Sequence, residues 1–150
     1  MIVGRVCTRV VATASPHESI RTGAQRMAAT DVGALVVLEA TDGAKPIGVV
    51  TDRDIVTRCT AVCLDPDQTE IGSIMTRPVH SVGEQDAVED ALEQMAKVGT
   101  RRLVVLDGSG RLAGILSLDD VLDLMAEETF AVRRVLAKQH GQMPLGFSLR

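Results

Sequence analysis

The chain carries one segment twice, and no other feature constrains its fold as strongly. Gly48-Val49-Val50-Thr51-Asp52-Arg53-Asp54-Ile55-Val56 returns 66 residues later as Gly114-Ile115-Leu116-Ser117-Leu118-Asp119-Asp120-Val121-Leu122. In each copy a glycine opens a short apolar run, a hydroxyl residue closes it, and an aspartate follows three positions on. At a spacing of 68, Gly4, Thr8, Arg9 and Val11 recur as Gly72, Thr76, Arg77 and Val79, and Met27-Ala28 recurs as Met95-Ala96. At the same spacing Leu35-Val36-Val37-Leu38 returns unchanged as Leu103-Val104-Val105-Leu106. The spacing falls to 66 because the segment from Glu39 to Ile47 is two residues longer than that from Asp107 to Ala113. A surface turn tolerates such a change. Units of about 60 residues present only twice point to a duplicated domain half and away from a solenoid, which needs three or more.

Local patterns predict the same order of elements in each repeat. Val3 to Cys7 and Ile71 to Met75 read as short helical turns ahead of an extended segment. Ser15-Pro16-His17-Glu18 and Ser81-Val82-Gly83-Glu84 each place a hydroxyl three positions before a glutamate, the pattern of a capping box. Helical spacing then joins Ile20, Ala24, Met27 and Ala28 in one repeat, and Val88, Ala91, Leu92, Met95 and Ala96 in the other. The apolar runs at 35–38 and 103–106 predict buried strands, followed by strands at 47–50 and 112–116. Closing helices are predicted over 52–63 and 118–125, with Leu64-Asp65-Pro66-Asp67 breaking the first. A further helix is expected over 129–140, and 141–150 as an arm or frayed tail. The expected division is therefore 1–66, 67–128 and 129–150. The expected fold class is α+β, with two β-α-β-β-α halves burying their open sheet faces against each other.

Composition narrows the function classes. Hydrophobic residues make up 45% of 150, enough for a sizeable core and too many for disorder. Aromatics are 1%, both Phe, so the stacking platforms that hold single-stranded nucleic acid are missing. A net charge of −4 offers no basic footprint for DNA or RNA. No apolar run approaches the roughly 20 residues a membrane span requires, and Val10-Val11-Ala12 is too short for a signal-peptide core. Neither nucleic acid nor membrane is an expected partner. Three cysteines, Cys7, Cys59 and Cys63, form no disulfide framework and fit a reducing compartment, so a cytoplasmic location is expected.

Two stretches, Val32-Gly33-Ala34-Leu35-Val36-Val37 with 48–55, and Thr100-Arg101-Arg102-Leu103-Val104-Val105 with 114–121, carry a family likeness. Over about residues 3–128 the chain resembles a tandem pair of cystathionine-β-synthase (CBS) domains, the arrangement called a Bateman module. The run from Thr51 to Val56, followed by Leu64-Asp65-Pro66 and Ile74-Met75-Thr76, resembles small stand-alone bacterial members. The resemblance implies pseudo-two-fold halves with two clefts that accept adenosine-containing ligands: AMP, ADP, ATP, S-adenosylmethionine or NAD. It also implies a homodimer formed through the helices, and a regulatory output read by an unknown effector protein in trans.

The residue types agree with that chemistry. Asp54 and Asp120 are placed to accept bonds from the two ribose hydroxyls, and Thr51 and Ser117 open the following helices near a ribose or phosphate oxygen. With no aromatics, adenine would lie between aliphatic side chains and be read by backbone near Ala14–Pro16 or Arg77–Val79. A second reading of the same four residues stands beside this one: hydroxyl N-caps with aspartates at N3, stabilising helices and nothing more. Arg53 lies in the first loop, where the second has Asp119, a carboxylate that repels phosphate. Arg101 occupies a position that in the family often carries a base reaching a ligand phosphate, a task suited to guanidinium. For Arg53, Arg101 and Arg102 the bland reading is solvated surface charge.

Cys59 and Cys63, one helical turn apart, are expected on one face as buried apolar thiols, because zinc needs three or four ligands and His17, His80 and His140 are scattered. No nucleophile elbow, P-loop or nucleophile with an adjacent His is present, so no catalytic residue and no catalytic cofactor is expected. The chain reads as a regulatory module binding an adenosine ligand through Thr51, Arg53, Asp54, Arg101, Ser117 and Asp120. The alternative is a module with empty clefts that serves protein interaction alone.

Overall fold

The computed structural model describes residues 1–39 and 41–140, so the predicted arm at 141–150 lies outside it. Two three-stranded sheets form the frame. In the first, β1 (Thr13–Ala14) runs parallel to β2 (Ala34–Leu38), which pairs antiparallel with β3 (Pro46–Thr51). β4 (Ser81–Gly83), β5 (Arg102–Leu106) and β6 (Leu112–Ser117) repeat the order and the pairing. The helices are α1 (Ile20–Thr30), α2 (Asp52–Arg58), α3 (Val88–Val98) and α4 (Leu118–His140). The architecture is the α+β pair of β-α-β-β-α halves that the repeats predict.

Strand parity explains how each sheet is covered twice. Successive side chains on a strand point to opposite faces. Leu35 and Val37 pack with Ile20 and Met27 of α1 in one core, while Leu103 and Val105 pack with Val88, Ala91 and Met95 of α3 in the other. Val36 and Val104, between them in sequence, face the opposite way and are equally buried, yet belong to neither helix-side core. Each fully buried aliphatic side chain of this kind contributes about 1.5–3 kcal/mol. The two hairpin turns also meet. Leu112 donates its N–H to the Ala44 carbonyl at 2.7 Å, and the Arg111 guanidinium lies 3.6 Å from Asp42.

Each core takes in a segment from the other repeat. Val3 and Cys7 are buried in the core built on β5 and α3, whereas Ile71, Ile74 and Met75 are buried in the core built on β2 and α1. Reciprocal backbone bonds anchor the exchange: Thr8 bridges Ile115 at 2.9 and 3.0 Å, and Thr76 bridges Val49 at 2.8 and 3.1 Å. Both segments include a single 3-10 turn, at Val3–Arg5 and Ile71–Ser73, as their spacing suggested.

Four local expectations are corrected. Ser15 and Ser81 do not cap helices. Ser81 lies in β4, and α1 is capped by Ser19, whose hydroxyl accepts from the Thr22 N–H at 3.2 Å. The two glutamates bind arginines instead, Glu18 with Arg26 at 2.7 Å and Glu84 with Arg9 at 3.0 Å. The helix expected over 52–63 ends at Arg58; after a 3-10 turn, Cys63 adopts φ 59°. Cys59 is therefore buried in the first core while Cys63 is exposed, and the two share no face. Finally, the helices expected at 118–125 and 129–140 are one continuous helix, because neither proline nor glycine interrupts the sequence between them. No described helix is long and apolar enough to cross a membrane.

Candidate functional site

Two clefts open between the halves, related by the same pseudo-symmetry as the repeats. The first, of about 110 Å³, is lined by Thr51 and Asp54 from one half and by Thr76, Pro78, Val79, His80, Thr100 and Arg102 from the other. The second, of about 260 Å³, is lined by Ser117 and Asp120, facing Thr8, Val10–Ala12 and Asp31–Ala34. The exchanged segments thus supply a wall of each cleft, which is why both walls come from sequence-distant residues. The sequence pointed to backbone near Ala14–Pro16 or Arg77–Val79 as a cleft wall. Pro78 and Val79 do line the first cleft, but Thr8 and Val10–Ala12 line the second, and Ala14 and Ser15 line a separate hollow beside α1.

Thr51 and Asp54 form a reciprocal cap on α2. The Asp54 N–H donates to the Thr51 hydroxyl at 3.1 Å, while the Thr51 N–H and hydroxyl both donate to Asp54 Oδ2 at 2.9 Å. Ser117 and Asp120 repeat all three bonds on α4, at 3.2, 2.7 and 2.7 Å. The capping expected of these pairs is therefore present. It also limits what they can offer a ligand. With its one proton on the aspartate, each hydroxyl has only a lone pair left. It can accept from a ribose hydroxyl but cannot donate to a phosphate. Each aspartate keeps Oδ1 as a further acceptor.

The clefts differ electrostatically. Asp54 Oδ1 lies 3.5 Å from Arg58 Nε, and its side chain is only 14% exposed. The residue 66 positions after Arg58 is Leu124, so Asp120 lacks such a partner, and Asp31 adds a second carboxylate to its cleft. The first cleft instead has His80 opposite Asp54, whereas Arg102 lines both clefts.

Of the arginines singled out by sequence, neither Arg53 nor Arg101 is among the residues lining either cleft. Arg101 lies 3.7 Å from Asp119, both well exposed. Arg102, for which the sequence left surface charge and phosphate contact both open, lines both clefts. Parity was the available signal: Leu103 and Val105 point into the helix-side core, so Arg102 and Val104 point between the halves.

A sequence model of the CBS domain matches this chain twice, over residues 3–60 and 71–127. The chain belongs to the CBS domain family. Its curated relatives include the CBS domain-containing protein YhcV of Bacillus subtilis, 38% identical over 76% of this chain and 78% of YhcV. Protein MK0525 of Methanopyrus kandleri is 35% identical over 81% of the chain, a stretch that spans only 61% of MK0525. Among solved structures, the CBS domain protein PAE2072 from Pyrobaculum aerophilum, complexed with AMP, superposes with a TM-score of 0.74. That likeness carries 30% identity and covers 80% of this chain and 89% of PAE2072. The pair of three-stranded sheets with the clefts between them is thus that of a CBS pair.

Proposed function

We propose that this CBS pair is a regulatory sensor of an adenosine-containing ligand, and that a nucleotide monophosphate such as AMP occupies the Thr51/Asp54 cleft. One observation carries the reading. Asp54 is held by its cap with Oδ1 still able to accept, while Arg102 stands on the opposite wall, so a ribose and a phosphate find complementary groups across one cleft. The AMP complex of PAE2072 supports the ligand class. A ligand gripping both walls favours the closed arrangement of the halves, and that population shift is the signal an effector protein reads. The role is regulatory, and the three unpaired thiols suit a cytoplasmic setting.

A homodimer through α4 fits the same reading. Leu122, Met125, Thr129, Val132 and Leu136 recur at alternating steps of three and four, the seam of a coiled coil. The four apolar members are about half exposed or more. Glu128 and Arg133, five residues apart, flank that seam with the spacing that pairs opposite charges between parallel helices.

A second reading has its own support: the caps by themselves account for all four hydroxyl and aspartate residues, as in a module whose clefts stay empty. A thermal-shift series with AMP, ADP, ATP, S-adenosylmethionine and NADH separates the two. At a hundredfold excess over its dissociation constant a ligand adds about 2.7 kcal/mol. A shift that disappears in Asp54→Ala, measured against the variant's own unliganded melting point, supports the sensor. No shift with any ligand supports the empty module.

A further inference from the structure

Arg102 belongs to both clefts. It begins β5, where it pairs with Ser117 at the rim of the second cleft, and it also lines the first cleft beside Thr100. Among the residues lining either cleft it is the sole lysine or arginine. Its counterpart 68 positions earlier is Ala34, so the duplication supplies one guanidinium where symmetry would supply two. The nearby arginines are engaged elsewhere. Arg9 binds Glu84 and the carbonyls of Gly4 and Ala113, while Arg58 binds the Ile74 carbonyl at 2.8 Å beside Asp54. The Arg102 guanidinium makes no ion pair or hydrogen bond within the described residues.

Resting on the adenosyl reading above, we propose that the two clefts share Arg102 as a single phosphate anchor. The chain then holds one nucleotide phosphate at a time, and occupancy of the first cleft leaves the second unfit for another. The second cleft has Asp31 and Asp120 but no cation of its own, so once Arg102 is engaged it repels an anionic group. It still offers acceptors to an uncharged nucleoside. The two clefts are thereby coupled negatively for nucleotides and not for adenosine.

Calorimetric titration of the wild-type chain with AMP and with adenosine tests this. The expected result is one AMP per chain at high affinity, with any second AMP at least about tenfold weaker, while adenosine fills both clefts with similar affinity. Arg102→Ala, an exposed position, should weaken AMP about tenfold or more, the loss of a charge-assisted contact, and leave adenosine unchanged. Ala34→Arg should restore a second AMP of comparable affinity. Two equivalent AMP sites in the wild type would overturn the proposal and leave the adenosyl reading intact. So would an AMP affinity unmoved by Arg102→Ala, or a folded Ala34→Arg chain that still takes one AMP. Binding of neither AMP nor adenosine would overturn the adenosyl reading itself.

Discussion

Gly114 lies directly against Cys7 of the other repeat: a Cβ built on Gly114 would stand 2.9 Å from the Cys7 sulfur and 2.9 Å from the Thr8 carbonyl oxygen. Gly48 is confined in the same way, 2.7 Å from the Met75 sulfur and 3.0 Å from the Thr76 carbonyl oxygen. The glycine that opens each copy of the motif is there because the exchanged segment crosses it. Gly48→Ala and Gly114→Ala should each destabilise by about 1–3 kcal/mol, the usual cost of overpacking. Denaturant titration checks both, and an unchanged midpoint in Gly114→Ala would contradict the close approach.

The exchange also relocates the effect of an N-terminal mutation. Val3 is fully buried in the core of β5 and α3. Val3→Ala removes two methylene equivalents and should cost about 2 kcal/mol. Hydrogen exchange should then rise at Leu103–Val105 before Leu35–Val37. The opposite order would mean that the first seven residues stabilise their own repeat.

The two caps predict a cost that is independent of ligand. Thr51→Ala and Ser117→Ala should each lose roughly 0.5–2 kcal/mol. Thr51→Ala should also weaken AMP binding, because Asp54 Oδ2 loses the hydroxyl, one of the two donors that hold it, and keeps only the backbone N–H. Ser117→Ala should cost stability while leaving AMP affinity in the first cleft within about twofold. Chemical denaturation and titration of the two variants separate these effects.

The thiols differ in reach. Burial pushes the Cys7 thiol above its ordinary range, against the smaller opposing pull of Arg9, and Cys59 is buried in the other core. Cys63 alone of the three is exposed. A thiol reagent at neutral pH should modify Cys63 quickly, and Cys7 and Cys59 only as the chain unfolds. Two fast-reacting groups would show that one of the cores opens readily.

If α4 forms the dimer seam, Val132→Lys should yield a folded monomer. Val132 is 60% exposed in the single chain, so the substitution disturbs no core within it. Sedimentation should show a dimer for wild type and a monomer for Val132→Lys, with unchanged circular dichroism. A wild-type monomer would remove the seam from the proposal.

The repeated motif, the helical spacing and the apolar fours are properties of neighbours along the chain. The sequence by itself therefore determined the two-fold α+β architecture, the buried strands and the Thr51–Asp54 and Ser117–Asp120 caps. Glutamate three residues after Ser15 and after Ser81 looked like the same local signal, yet tertiary contacts with Arg26 and Arg9 claimed both carboxylates. Only the folded chain decided that Val3 and Cys7 join the far core and that Thr8 and Val10–Ala12 wall the second cleft. Those outcomes depend on which strand edge a segment reaches and which sheet face is covered. Such choices are settled by burial between residues far apart along the chain, where local periodicity carries no information.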